Sequence, residues 1–534
     1  LAILSGLLLW LGWPTYGFAG LLFVGFVPLL LAEYKIRKAG LKAKGWRVLG
    51  LSYVSFFIWN FATTSWLYYA TGFGMWFAVL VNSLLMALVF LCYHHFARKA
   101  TQSASLLFLV CLWMAFEYLH LHWDFSWPWL NLGNGFSEYT GWIQWYEYTG
   151  TFGGTLWIWI VNFLVFKSVL WILRFRESET TTGINLKIIA RRSILPILVI
   201  TVPIAISVIL GSLRTTINKG GGTQVVLVQP NVDPYLEKYS SGNESTVNTI
   251  KELATPALDA NTDFLIAPET VLAEPVYLNN VPVDNATLAL KQFLTTYPNL
   301  NYLGGAVIID VFNDASQIKP QTNRTQDPSI FYDDYNSAMF FNATNNVELY
   351  HKSKLVVGVE NFPYKSLLQP ILGDAMIDLG GTVSTKTTQT ERSVFTNDKG
   401  VSLAPIICYE SVYGSYVSDY VTNGAQFLAI ITNDAWWNDT QGHKQHLSIA
   451  RLRAIENRKW VARSANTGIS AIINPTGEIV ESLGYDKKGI VKGNVYPNDT
   501  VTFYAKQGDY LARIAIFMGI AVLLVGLFRN NGLT

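Results

Sequence analysis

Leu403-Ala-Pro-Ile-Ile-Cys-Tyr-Glu410 is an apolar run of strand length that stops abruptly on a thiol and a carboxylate. It shows no polar alternation, so it reads as a strand buried on both faces, as in a sheet covered on either side. Working outward, the same kind of run recurs at Val225–Gln229, Phe264–Ala267, Tyr302–Ile309, Ala338–Asn342, Phe427–Thr432 and Ile469–Ile473. Between them lie helical stretches. The clearest is His443–Arg463, with Leu447, Ala450, Leu452, Ala454 and Ile455 at helical spacing. Strands and helices in this order predict a layered α/β sandwich over residues 214–508.

On either side of that domain the character of the chain changes. Of 534 residues, 51% are hydrophobic and only 14% charged, against about 25% charged in soluble domains. Residues 1–213 are apolar runs broken by short loops, and 509–534 return to one. A bilayer core takes roughly 20 apolar residues per helix. Segments near that length fall at 1–13, 16–33, 49–70, 74–97, 104–121, 151–173, 193–213 and 510–528, which predicts an eight-helix membrane bundle. The expected domains are therefore 1–213 with helices one to seven, 214–508 as an α/β domain, and 509–534 with helix eight and a tail. The chain opens at Leu1 rather than Met, so a few leading residues are expected to be missing. Its first run lacks the basic flank and small-residue cleavage site of a signal peptide.

Basic residues set the orientation. They cluster at Lys35–Arg47, Arg98–Lys99, Arg174–Arg192 and Arg529, while the loops near 14–16, 71–73 and 122–150 contain no Lys or Arg. Lys and Arg are retained in the cytoplasm. Both termini are thus expected inside and the α/β domain outside, which is the periplasm of a Gram-negative inner membrane. A net charge of +2 gives no electrostatic footprint for nucleic acid. With Cys92, Cys111 and Cys408 as the only cysteines, no disulfide framework follows, and Cys408 is free to act as a nucleophile.

Three polar groups end or follow apolar strands: Glu269 in Phe264-Leu-Ile-Ala-Pro-Glu-Thr270, Lys352 in Tyr350-His-Lys-Ser-Lys354, and Cys408. A thiol needs a base beside it at neutral pH, and an ammonium steadies the oxyanion of a tetrahedral intermediate. Taken singly each has a plainer reading: a buried small hydrophobe for Cys408, a helix-start carboxylate for Glu269, a solvated charge for Lys352. Their joint occurrence points to acyl transfer through a thioester. His443 and His446 lack a third ligand in the sequence, so no metal is expected, and no cofactor motif is present.

Ala267-Pro-Glu269, Tyr350-His-Lys352, Ile407-Cys-Tyr-Glu410 and Thr432-Asn-Asp-Ala-Trp436 resemble the nitrilase, or carbon–nitrogen hydrolase, superfamily, which implies an α-β-β-α sandwich with a Glu–Lys–Cys triad. With the membrane bundle added, the layout is similar to that of the apolipoprotein N-acyltransferase family. Further matches are Trp113-Met-Ala-Phe-Glu117, Trp127-Pro-Trp129, Asn336-Ser-Ala338, Leu355-Val-Val-Gly-Val-Glu360 and Thr502-Phe-Tyr504. The resemblance implies Cys408 as the acylated nucleophile, Glu269 as general base and Lys352 as oxyanion stabiliser. It also implies Glu360, Glu410 and Tyr409 as supporting residues, with Tyr239 lining the substrate site where the family often has Trp. The family's Leu-Val-Pro-Phe-Gly-Glu is here Leu355-Val-Val-Gly-Val-Glu360, and the Arg three residues after the family's membrane Glu is here His120. The implied reaction takes an acyl chain from a phospholipid and passes it to the α-amino group of an S-diacylglyceryl-cysteine on a lipoprotein. A monomer is expected. Two rivals remain at this level: a membrane-tethered amidase of the same superfamily, and a non-catalytic membrane receptor.

Overall fold

The computed structural model describes residues 1–178, 186–214, 221–233, 242–361, 363–364, 367 and 385–531. The chain divides into two compact units. One comprises Leu1–Tyr68, Gly72–Leu213 and Gln507–Thr534, and the other Tyr69–Thr71 and Arg214–Lys506.

The first unit is helical. Each apolar segment anticipated from the sequence contains helix, from Ala2–Leu11 to Tyr510–Asn531. Among the described residues, five helices are long and apolar enough to cross a membrane: Ala19–Lys38, Gly72–Ala97, Gln102–His120, Thr151–Arg174 and Arg192–Arg214. Ala2–Leu11 has only 10 residues. Lys44–Thr64 has 21 residues but buries Ser52, Asn60 and Thr64. Ser52 donates to Val48 O at 2.7 Å and Thr64 to Asn60 O at 2.8 Å within the helix, while Asn82 Nδ2 of Gly72–Ala97 donates across to Asn60 Oδ1 at 2.7 Å. Such bonds are how a polar helix face tolerates an apolar setting. Aromatic rings fill the interior, with Phe26 stacked on Trp159 at 4.2 Å and edge-on to Trp113 at 5.3 Å.

The second unit is a sandwich of two sheets. Its strands are β1 (Thr223–Gln229), β2 (Thr262–Ile266), β3 (Leu272–Tyr277), β4 (Asn301–Phe312), β5 (Asn323–Arg324), β6 (Phe331–Phe341) and β7 (Glu348–His351). They continue with β8 (Phe395–Thr396), β9 (Ser402–Ile407), β10 (Phe427–Thr432), β11 (Val461–Ala465), β12 (Ser470–Ile473), β13 (Ile479–Leu483) and β14 (Gly489–Val495). One sheet has the order β14-β1-β2-β4-β6-β5, with β3 on β4 and β7 on β6; the other runs β13-β12-β11-β10-β9-β8. Strands β1, β2 and β4 are mutually parallel, as are β9, β10 and β11.

Alternate side chains of each strand feed two different cores. Val226, Val228 and Leu265 pack with Val247, Ile250 and Ala254 of the helix Asn243–Ala254 and with Leu290 and Leu294 of Asn285–Leu294. Phe264, on the opposite face, meets Phe427 of the other sheet at 5.4 Å. Burying each such side chain is worth about 1.5–3 kcal/mol, which explains why these strands lack polar alternation. Helices Gly414–Thr422 and Gln441–Asn457 connect β9 to β10 and β10 to β11.

The helix expected over His443–Arg463 is shorter than anticipated. It ends at Asn457, Arg458 takes a left-handed φ of 51°, and Val461–Ala465 is strand β11. A left-handed residue after the last turn closes a helix. Apolar spacing carried on through Trp460–Ala462 and hid that stop.

Candidate active site

Parallel strands leave their reactive residues at their carboxyl ends, where ligands of α/β sheets bind. Cys408 follows β9, Asn433 and Asp434 follow β10, and Glu269 stands three residues beyond β2. Lys352 follows β7, whose pairing with β6 sets it beside Asn336 through a bond from Lys352 N to Asn336 O at 2.8 Å. The Glu269 loop lies tight on β4: a Cβ on Gly305 would stand 2.1 Å from Thr270 N and 2.7 Å from Glu269 Cα. Only glycine permits that approach.

Around Glu269 stand one ammonium, a second carboxylate and two neutral donors. Lys352 Nζ donates to Glu269 Oε1 at 2.8 Å and lies 2.9 Å from Glu360 Oε2, and Lys352 is 1% exposed. Asn336 Nδ2 donates to both carboxylates, at 2.8 Å to Glu269 and 3.0 Å to Glu360. Asn433 N donates to Glu269 Oε2 at 3.1 Å, and Val356 N donates to Glu360 Oε2 at 2.9 Å. Burial alone would lower the Lys352 pKa, but the Glu269 and Glu360 carboxylates outweigh it and hold the ammonium charged well above its usual range.

Cys408 is buried and takes a left-handed φ of 50°. Such a conformation costs a non-glycine residue about 1–2 kcal/mol and persists only where the surroundings enforce it. Burial first, and the Glu269 carboxylate second, push its thiol up, while Lys352 pulls the other way. A thiol pushed up in this way needs a neighbouring base before it can serve as a nucleophile.

Glu410 differs in kind. Tyr350 and Tyr416 hydroxyls donate to its Oε1 at 2.6 Å each, Ser353 N does so at 2.7 Å, and Ile407 N donates to Oε2 at 2.8 Å. Burial raises its pKa against those bonds. Four donors saturate it, so its visible work is to brace the Cys408 turn against the Lys352 loop. The Tyr409 ring packs edge-on to Tyr413 at 5.4 Å. Tyr239 lies outside the described residues.

Sequence reasoning missed several participants. Asn336 was noted only as part of a matching tripeptide; its signal is a buried amide inside a strand, which needs a partner. His446, set beside His443 in the sequence reading, belongs elsewhere. Its Nδ1 lies 2.9 Å from Asp434 Oδ1, while His443 stacks on Tyr485 at 4.3 Å. Ligand atoms of Cys408, Asp434 and His446 lie within 4.8 Å of one another. The set does not suit a cation, because Arg463 Nη2 already donates to Asp434 Oδ2 at 2.5 Å and would repel one.

This is a cysteine-centred α-β-β-α sandwich joined to an apolar helical unit. Residues 224–504 match the family model of carbon–nitrogen hydrolases, and residues 5–164 match that of the apolipoprotein N-acyltransferase N-terminal domain. The chain belongs to the carbon–nitrogen hydrolase family. It is similar to the apolipoprotein N-acyltransferase of Chlorobaculum tepidum, 28% identical over 99% of this chain and 97% of that one. The enzyme of the same name from Geobacter metallireducens is 24% identical over 100% of this chain and 96% of that one. Apolipoprotein N-acyltransferase 1 of Treponema denticola is 25% identical over 99% of this chain and 96% of its own.

Proposed function

We propose that this chain is a lipoprotein N-acyltransferase that works through a thioester on Cys408. The observation that carries the reading is the pairing, in one chain, of the acyltransferase N-terminal domain with a carbon–nitrogen hydrolase domain, similar end to end to enzymes of that activity. In the first step Glu269 takes the Cys408 proton as sulfur attacks an acyl ester of a phospholipid. The new S–C bond forms, the tetrahedral oxyanion is steadied by the Lys352 ammonium, and the C–O bond to the glycerol oxygen breaks. That oxygen leaves with the proton held by Glu269. In the second step the α-amino group of an S-diacylglyceryl-cysteine attacks the thioester. Glu269 takes the amine proton and returns it to the sulfur as the amide forms.

Glu360 shares Lys352 with Glu269 and so keeps the ammonium charged in either protonation state of the base. The apolar helical unit suits this chemistry, since bringing an acyl chain into water costs about 0.8 kcal/mol per CH₂. Basic-loop placement supports an eight-span arrangement with both termini cytoplasmic and the sandwich outside, in the inner membrane. The test is to incubate purified protein with phospholipid and a diacylated lipopeptide. Triacylated peptide is the expected product, and free fatty acid or ammonia alone would instead mark a hydrolase.

A further inference from the structure

The turn that carries Cys408 is gripped by one helix. Residues Cys408–Val412 form a 3₁₀ turn directly after β9. Along it, on Gln441–Asn457, lie His446 and Arg453, seven residues apart and so on the same helix face. Arg453 Nη1 donates to Ser411 O at 3.2 Å and Val412 O at 2.8 Å, and Nη2 donates to Glu456 Oε1 at 2.9 Å. It thus secures the far end of the turn. His446 sits at the near end, on the nucleophile itself. Its Nε2 lies 2.9 Å from Ser411 Oγ and 3.3 Å from Cys408 O, and the Ser411 hydroxyl donates to Cys408 O at 2.7 Å.

His446 in turn cannot drift. Asp434 Oδ1 lies 2.9 Å from its Nδ1 and accepts from Thr432 Oγ1 at 2.8 Å, while Arg463 Nη2 anchors Asp434 Oδ2 at 2.5 Å. All four side chains are completely buried, and a Cβ on Gly468 would come within 2.5 Å of Asp434 Oδ2, so the pocket has no slack. Of these, His446 reaches the carbonyl of Cys408, as Ser411 does, and Cys408 has a φ of 50° that is unfavourable unless held.

We infer that His446, carried on the Asp434–Arg463 anchor, is a positioning residue that locks the left-handed turn of Cys408 and so aims its sulfur at the acyl carbon. It acts through the backbone carbonyl rather than on substrate. The inference rests on Cys408 being the acylated thiol. Removing the lock misplaces the sulfur without disturbing lipid binding, and a misplacement of about 1 Å costs about 100-fold in rate.

The test measures thioester formation on the full-length protein in a single turnover with phosphatidylethanolamine. Mass spectrometry of His446→Ala, His446→Gln and Asp434→Asn gives the yield, and iodoacetamide labelling at varied pH gives the thiol titration. The expected result for His446→Ala is a fall of about 100-fold in the acylation rate, with an unchanged half-saturating lipid concentration and an unshifted labelling profile. His446→Gln, whose side-chain amide can donate to Cys408 O, recovers at least about 10-fold. A His446→Ala rate within about threefold of wild type would overturn the inference, as would a folded His446→Gln no faster than His446→Ala, or an equal shift in labelling pH. If His446→Ala fails to fold, Asp434→Asn and His446→Gln decide by the same criteria. Absence of any acyl uptake by the wild type would instead sink the acyltransferase reading, and the variants would then be compared with a soluble thioester as acyl donor.

Discussion

Glu269 and Glu410 are both buried glutamates of the candidate site, yet their surroundings are opposite. Glu269 shares an ammonium with Glu360 and takes two further bonds, from Asn336 and Asn433 N. Glu410 is held by four neutral donors, two tyrosine hydroxyls and two backbone amides. A carboxylate paired with a buried ammonium can gain and lose a proton during a reaction. One whose lone pairs are committed to backbone and tyrosine donors serves geometry. On the proposed mechanism, the same residue type is divided between chemistry and bracing by what the fold sets against it.

Substitutions that leave shape unchanged sharpen this contrast. The largest effect is expected at Glu269. Glu269→Gln removes the base but keeps an acceptor for Lys352, so single-turnover acylation falls by about 10²–10⁴ with little change in melting temperature. Lys352→Met comes next, with a loss of about 10²–10³ in the acylation rate. It also lowers stability, because Glu269 and Glu360 are left as unneutralised neighbours, and thermal unfolding would record both. The smallest catalytic effect belongs to Glu410→Gln, whose new amide faces Ile407 N–H donor to donor. A loss of about 1–3 kcal/mol in stability is expected, with an acylation rate reduced far less than in Glu269→Gln. Equal rate losses for Glu269→Gln and Glu410→Gln would erase the distinction.

Titration offers a further way to break it. The folded pKa of Glu410 is raised by burial, so its ionised form costs stability above the ordinary carboxylate range and that cost is relieved as pH falls. Wild type should therefore gain on Glu410→Gln as the pH is lowered toward that range. Asp434 has the opposite sign. Burial would raise its pKa, but Arg463 and His446 overcome this and hold it well below the usual range. Its contribution is present above the unfolded carboxylate pKa and is lost only as pH falls through the depressed folded value. Unfolding curves for Asp434→Asn against wild type would converge only in strong acid.

Much of the sandwich was legible because burial on both faces leaves an unmistakable apolar run. Strand β10 was read to the residue, at Phe427–Thr432. Strand β11 was not, since Val461–Ala465 follows a helix whose apolar spacing continues past its left-handed stop at Arg458. Within the site, Glu269, Lys352 and Cys408 stood out because each ends or follows a strand in a distinct local motif. Asn336 and the Asp434–His446–Arg463 set did not. Their partners are separated by up to 67 residues, and only the β4–β6 register and a crossover helix bring them together. In the helical unit, hydropathy marks five helices plainly, while Lys44–Thr64 dilutes its signal with interior hydroxyls and amides.

The most direct measurement is intact-protein mass spectrometry after incubation with phospholipid. A hydroxylamine-labile fatty-acyl increment that maps to Cys408 and is absent from Cys408→Ala is the predicted result. An unmodified Cys408 alongside continued production of triacylated lipopeptide would contradict the account.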